Sequence, residues 1–427
     1  MKIAIFPYGS RGDIQPYLAL AVGLQQAGHH VTLAASRNFA EWILSYGVHV
    51  HPVRFDMQEF IQRPESRAIM TSKNVFQIVR MSREQITPGT VSALEDFWQA
   101  AQDADFVIQT GTGHGSVEVA TQRGIPMAFA YLLPVFVPTR AFPSFFLQFR
   151  NSLGGGYNKL THHLMERFMW SILGGATNQW RKNRLKLPPW RSFDHMHQSR
   201  EKFGTPWLFP ISPSVLPKPE EWKPFHHITG YWFLDTTSDW QPPADLVRFL
   251  ESGPPPVYIG FGSMTREDPE HQTRLILRAL ELAGQRGILL TGWGGLAQQT
   301  ATENVFYIEN VPHEWLFPKM AAVIHHGGAG STAAGLRAGI PGVAVPFLGD
   351  QYAWADLLVN LGVGPRLTDI KKLTAEKLAE GIQVAVNDPS MRAGAVALGE
   401  KIRAEDGVAR AIEIIEKHAT EFKRNNP

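Results

Sequence analysis

The chain has 427 residues, 44% hydrophobic and 19% charged, a balance that fits a folded protein of two domains and excludes a disordered one. Lys and Arg total 41 against 39 for Asp and Glu, and a net charge of +2 argues against a nucleic-acid partner. Cysteine is absent, which excludes disulfides, thiolate metal sites and a thiol nucleophile.

Residues 3–6 form a short apolar run, the pattern of a buried parallel strand. The run gives way to Gly9, Ser10 and Arg11 without a small-residue cleavage site, so the N-terminus reads as a strand and not a secretory leader. Residues 16–27 set Leu18, Ala21, Val22 and Leu24 at helical spacing, and Gly28 stops them. A strand over 31–34, a helix over 39–46 and strands over 106–109 and 127–130 continue the rhythm. From about 131 to 210 it breaks into clustered aromatics and prolines, read as an insertion with one or two helices between Tyr157 and Arg184. Pro210, Pro213, Pro217, Pro219 and Pro224 suit an interdomain linker.

The second half repeats the pattern, with strands expected over 257–261, 287–291, 305–308, 322–325 and 342–346. Helices are expected over 270–285, 330–338, 353–361 and 375–387, and a last amphipathic helix over 393–422. This alternation predicts α/β architecture with doubly wound parallel sheets. The expected organisation is an N-terminal acceptor-binding domain over 1–220, a second domain over 221–400, and a C-terminal helix over 401–427 that packs back on the first. No apolar stretch approaches the roughly 20 residues of a membrane span, so the expected location is the cytoplasm. The 25 Phe and 12 Trp leave a peripheral membrane contact open, and the expected state is monomer or homodimer.

The strongest constellation is His325-His326-Gly327-Gly328-Ala329-Gly330-Ser331-Thr332, between an apolar run and a helical pattern. Glycines let backbone approach an anion, and a helix start offers free N–H groups and the positive end of a dipole. Ser331 and Thr332 add hydroxyls, so the segment suits a diphosphate; the alternative is a tight turn that needs glycine for steric reasons. Gly260-Phe261-Gly262-Ser263 is a weaker companion for the same phosphates, equally readable as an N-cap serine. Asp350-Gln351 follows a strand and offers a carboxylate and an amide to vicinal sugar hydroxyls, or a plain helix cap. Asp13 lies in the first strand-to-helix turn and is either a base or a cap. Three other patterns carry less. Gly111-Thr112-Gly113-His114-Gly115-Ser116 ends in serine where the dinucleotide fingerprint needs glycine. Asp103 and Asp105 precede a strand instead of following one. Arg181, Lys182, Arg184 and Lys186 read as a solvated helix face, with a membrane-surface contact as the alternative.

Five segments in this order resemble the inverting family 1 glycosyltransferases, in the branch of the sterol glucosyltransferases and the bacterial antibiotic glycosyltransferases. They are Gly9-Ser10-Arg11-Gly12-Asp13-Ile14-Gln15-Pro16, Tyr258-Ile259-Gly260-Phe261-Gly262-Ser263-Met264, Asn310-Val311-Pro312-His313-Glu314-Trp315-Leu316-Phe317, the His-His-Gly-Gly segment, and Pro346-Phe347-Leu348-Gly349-Asp350-Gln351. The resemblance spans nearly the full length and implies a GT-B fold, two Rossmann-like domains facing across a cleft. It implies Asp13 as general base and Ser10 and Arg11 as a loop near the donor diphosphate. His326, Gly328, Ala329, Gly330, Ser331 and Thr332 match the diphosphate loop, and Asp350 and Gln351 the sugar readers. Val311 and His313 match the edge that reads the base. Many plant relatives stack a Trp at the position of Asn310, a role that Trp293 is expected to take here, and carry a ribose-binding Glu at the position of Ala334. Phe136, Phe142, Phe145, Phe146 and His114 are expected to line the acceptor pocket.

The implied reaction moves a hexose, glucose by family weight, from UDP-glucose to a hydroxyl of a sterol, terpenoid, polyketide or phenol, with no metal and no other cofactor. A TDP-sugar donor is the alternative. Rivals are a nucleotide-sugar epimerase or hydrolase on the same fold, and a non-catalytic lipid- or nucleotide-binding protein.

Overall fold

The computed structural model describes residues 1–7, 9–56, 59–60, 75–111, 115–147, 152–193, 204–235, 240–262, 268–291, 296–297 and 301–425. They form two compact units. The first takes the chain to Ser144, residues 152–234 and the stretch from Asp406 onward; the second takes residues 235–405 together with Phe145, Phe146 and Leu147.

The first unit is a parallel sheet of β1 (Lys2–Ile5), β2 (His30–Ser36), β3 (His49–Val53), β4 (Phe106–Gln109), β5 (Met127–Ala130), β6 (Trp207–Phe209) and β7 (His226–Ile228), in the order β3-β2-β1-β4-β5-β6-β7. Its helices are α1 (Arg11–Gln26), α2 (Ala40–Leu44), α3 (Val75–Ala100), α4 (Ser116–Arg123) and α5 (Gly155–Trp180). Successive side chains on a strand point to opposite faces. Ile3, Ile5 and Ile108 therefore enter one core cluster, and Ala4, Phe6 and Val107 the other. Burial on both faces explains why these strands read as continuous apolar runs rather than alternating ones.

The second unit is a parallel sheet of β8 (Val257–Gly260), β9 (Gly287–Leu290), β10 (Val305–Ile308), β11 (Ala322–His325) and β12 (Gly342–Ala344), in the order β10-β9-β8-β11-β12. Around it lie α6 (Ala244–Glu251), α7 (Pro269–Ala283), α8 (His313–Leu316), α9 (Ala329–Ala338), α10 (Gln351–Asn360), α11 (Ala375–Asn387) and α12 (Pro389–Arg403). The chain then returns to the first unit as α13 (Gly407–Asn425), whose Ala411, Ile414, Ile415 and Ala419 bury against α1. Gly23 of α1 makes that approach close: a Cβ there would lie 2.4 Å from Val408.

Three expectations change. The proline-rich stretch over 210–224 is not an interdomain linker; it joins β6 to β7, and the first unit runs on to Leu234. The single helix expected over 393–422 is two, because Asp406 accepts the Ala409 N–H at 2.9 Å and starts a new helix. The long helix α3 (Val75–Ala100) is unexpected, because Pro88 and Gly89 interrupt its pattern; the helix expected between Tyr157 and Arg184 is present as α5, packed on α3. Among the described residues, no helix is long and apolar enough to cross a membrane.

Candidate functional site

In each sheet the strand order reverses beside the unit's first strand, between β1 and β4 and between β8 and β11. Open α/β sheets bind ligands beyond the carboxyl ends of the strands at such a point. The candidate residues of both units cluster there.

In the first unit the loop after β1 turns through Gly9, at φ 136°, into α1. A Cβ on Gly9 would lie 2.3 Å from Asp13 Oδ2, so only glycine leaves room for that carboxylate. The Ser10 N–H and Oγ both donate to Oδ2, at 2.7 and 2.9 Å. Oδ1 has no hydrogen-bond partner among the described residues. Burial raises the Asp13 pKa above the ordinary carboxylate value, and the two bonds from Ser10 pull it back. One oxygen thus closes a capping box with Ser10, and the other is open among the described residues. Two buried tyrosines lie below. Tyr17 donates to the Ala130 carbonyl at 2.9 Å, and Tyr131 accepts from Gln109 Nε2 at 2.9 Å. Nothing in the sequence separated them from ordinary core aromatics. Ser10 has spent its donors on Asp13, and the Arg11 guanidinium sits 4.9 Å over the Trp42 ring. Thr110, at the end of β4, donates to the Phe6 carbonyl at 2.6 Å.

In the second unit β11 ends at His325, whose Nδ1 accepts the Gly327 N–H at 3.0 Å and so fixes the turn. Gly327, at φ 83°, lets that turn pass Gln351: a Cβ there would lie 2.8 Å from the Gln351 carbonyl. The His326 ring lies between two glycines. A Cβ on Gly328 would stand 2.3 Å from its Nε2, and one on Gly262 3.2 Å from its Cε1. Burial lowers the His326 pKa to about 4, so at neutral pH the ring carries one N–H and no charge. Its Nδ1 is buried with no hydrogen-bond partner among the described residues. Helix α9 starts beside it with no side-chain cap, and the N–H groups of Ala329, Gly330 and Ser331 have no partner among the described residues. This is a bare helix N-terminus, with its dipole and donors open to an anion. Thr332 is not part of that opening: it is 1% exposed and its hydroxyl donates to the Gly328 carbonyl at 2.9 Å.

The neighbouring loop carries Asp350 and Gln351. Gln351 Oε1 accepts the N–H groups of Phe347 and Leu348 at 2.7 and 3.1 Å, which braces the loop and leaves the amide nitrogen without a partner among the described residues. Asp350 Oδ2 accepts from the Trp354 indole at 3.0 Å, so the carboxylate is aimed by Trp354 and does not cap α10. Val311 is 4% exposed and belongs to the core. His313 stacks on Phe317, ring centroids 4.2 Å apart, with Nε2 3.4 Å from the Tyr258 hydroxyl. Ser263, Trp293 and His114 lie outside the described residues.

The expected aromatic wall is corrected in part. Phe136 is 3% exposed, packed on Tyr131 and Phe193, and is core of the first unit. Phe145 is 1% exposed, edge-on to Trp354, and groups with Phe146 in the second unit. Phe142 remains half-buried in the first unit against His162 and Trp222. The basic run over 181–186 is largely spent. Arg181 pairs with buried Glu118 at 2.6 Å and lies 3.6 Å over the Trp190 ring, and Arg184 meets Glu95 at 3.5 Å.

Two Rossmann-like units, with a carboxylate at one switch point and an uncapped, glycine-lined helix start at the other, define the GT-B glycosyltransferase fold. Residues 3–136 match the glycosyltransferase family 28 N-terminal domain, and residues 296–417 match the erythromycin biosynthesis protein CIII-like C-terminal domain. A sterol 3-beta-glucosyltransferase of Arabidopsis thaliana is 35% identical over 98% of this chain and 68% of its own length. Its counterpart in Yarrowia lipolytica is 36% identical over 97% of this chain, which spans only 28% of that protein. The one in Cryptococcus neoformans var. neoformans serotype D is 35% identical, and the chain spans 27% of it. Among solved structures, the glycotransferase of kitacinnamycin superposes with a TM-score of 0.70 at 19% identity, covering 98% of this chain and 99% of its own. The glycosyltransferase SsfS6 of Streptomyces sp. SF2575, complexed with thymidine diphosphate, gives 0.63 at 18%, covering 98% and 99%. The chain belongs to the glycosyltransferase family that includes the sterol 3-beta-glucosyltransferases.

Proposed function

We propose that the chain is an inverting glycosyltransferase that moves glucose from UDP-glucose to the hydroxyl of a sterol or a similarly apolar alcohol. The observation that carries this reading is the bare N-terminus of α9 beside the neutral His326 ring, a donor array without a protein acceptor. A diphosphate supplies the missing acceptor atoms and the negative charge. The three N–H groups, Ser331 and His326 would stabilise the leaving diphosphate as its charge develops. Asp350 and the Gln351 amide would hold the sugar hydroxyls.

Asp13 is the proposed base. Its free Oδ1 would take the proton as the acceptor oxygen bonds to the anomeric carbon, opposite the departing diphosphate, and inverts it. Ser10 holds the other oxygen, so the carboxylate presents one lone-pair face to the acceptor. The apolar acceptor and the glucose are supported by the sterol 3-beta-glucosyltransferase relatives, and the UDP only by the resemblance of the sequence motifs to the family.

Mass spectrometry of UDP-glucose and TDP-glucose turnover, with and without sterol and phenol acceptors and in EDTA, tests the reading. A glucoside formed only with acceptor supports it. Product from TDP-glucose alone moves the donor to thymidine, the nucleotide held by one structural neighbour. Donor breakdown without acceptor replaces it with a hydrolase or epimerase, and no turnover of either donor with tight binding makes the chain a nucleotide-binding protein.

A further inference from the structure

The loop that carries Asp350 and Gln351 is held from behind by aromatic rings. Gly349 turns it at φ 62°, a left-handed conformation that favours glycine, and Gln351 braces it through the Phe347 and Leu348 N–H groups. Trp354 lies four residues beyond Asp350, in α10, and is fully buried. Its indole N–H, the only polar group of that side chain, goes to Asp350 Oδ2 at 3.0 Å. Phe145 stands edge-on to the Trp354 ring, with centroids 5.7 Å apart and planes at 73°, and is itself buried. Phe146 lies beside the turn: a Cβ on Gly349 would be 3.9 Å from its Cδ1. The chain reaches these two phenylalanines directly after Ser144, where its first stretch in the first unit ends.

A carboxylate that accepts from a sugar hydroxyl selects by direction. Free to rotate, it follows an equatorial or an axial hydroxyl alike; with one oxygen held, it presents the other along one line. Burial and the edge-on contact with Phe145 fix the Trp354 ring, and the ring fixes that oxygen.

We propose that Trp354 and Phe145 are positioning residues that set which hexose is transferred. Trp354 holds the Asp350 carboxylate, Phe145 holds Trp354, and the held carboxylate discriminates between hexoses that differ in the configuration of one hydroxyl. That role presupposes the reading of Asp350 as an acceptor of sugar hydroxyls. Selectivity then resides in two aromatic side chains that act through another residue, one of them brought in by the aromatic segment after β5.

Turnover of UDP-glucose and UDP-galactose on a sterol acceptor, with the TDP pair run in parallel and UDP affinity measured by calorimetry, tests it. Trp354→Phe keeps a ring against Phe145 and removes the N–H. It should lower kcat/KM for UDP-glucose about tenfold, the scale of one lost hydrogen bond to a charged group. The glucose-to-galactose ratio should fall by a similar factor, while UDP, which has no hexose, binds as it does to wild type. Phe145→Leu should lower the ratio in the same direction and by less, because the indole N–H is kept. In an Asp350→Ala background, Trp354→Phe should change neither turnover nor ratio further, because its effect runs through Asp350. An unchanged ratio in Trp354→Phe, an equal fall in UDP affinity, or a full effect repeated in the Asp350→Ala background overturns the proposal and leaves the transferase reading standing. The indole bond would then serve only to satisfy a buried N–H. Wild-type protein that transfers hexose from none of the four donors rejects the transferase reading, and the proposal with it.

Discussion

The two switch points use one piece of backbone architecture for opposite charges. Each places a glycine-bearing turn between a strand at the switch point, β1 or β11, and a helix N-terminus. At α1 the chain supplies its own anion: the Asp13 carboxylate takes the N-cap Ser10 N–H and hydroxyl. At α9 the chain supplies none, and three N–H groups stay open. A helix start can satisfy a protein carboxylate or a ligand phosphate, but the same donors cannot serve both. The first start thus holds a protein carboxylate through Ser10, and the second leaves its donors open to an anion.

The contrast breaks most sharply at Asp13. Asp13→Asn should lower turnover by roughly 10²–10⁴-fold, the usual worth of a positioned base, with donor affinity by calorimetry unchanged. Gly9→Ala should lose turnover in the same range, because its Cβ falls 2.3 Å from Oδ2 and displaces the carboxylate. Equal loss of donor binding in either variant would erase the division of labour.

Gly328→Ala should act on the other side. Its Cβ would meet His326 Nε2 at 2.3 Å and push the ring off the helix start. Losing one hydrogen bond to a charged group costs about 1.5–3 kcal/mol, so donor affinity should fall roughly 10- to 100-fold. Donor affinity at the wild-type value would remove His326 from the site.

A smaller effect lies in the pH profile. Burial raises the Asp13 pKa, and the base works only when ionised. Activity should therefore fall as pH drops through a midpoint above the ordinary carboxylate value near 3.9. Ser10→Ala removes bonds that favour the charged form, so that midpoint should move up and not down. A downward shift in kcat/KM against pH would contradict the capping geometry. The weakest effect belongs to His326. With its pKa near 4 it stays neutral at working pH, so no inflection between pH 5 and 8 should vanish in His326→Gln. An inflection lost in that variant would mean a charged ring.

Much of this candidate site was legible in the sequence. The run from His325 to Thr332 announced a strand, a glycine turn and a helix start, because each residue type is needed locally for that geometry. Asp13 was legible as base or cap for the same reason, and the choice was not, because it depends on which oxygen finds a partner. Thr332 looked like a phosphate ligand, yet its hydroxyl closes on the carbonyl four residues back, a competition that sequence spacing allows but does not decide. The aromatic insertion was least legible. Phe136, Phe142 and Phe145 are the same residue type within ten positions; the first and last are buried in different units and the middle one is half-buried.

By itself, then, the sequence determined the elements and their order, since apolar runs, helix periodicity and glycine stops act over a few residues. It also marked the glycine turns at which the candidate residues lie. Only the tertiary structure decided that the prolines over 210–224 lie inside one sheet, that Arg11 is held by Trp42, and that α5 turns leucines outward. Those outcomes depend on partners far away in the chain, and burial and hydrogen-bond competition between distant residues are settled only when the chain is packed.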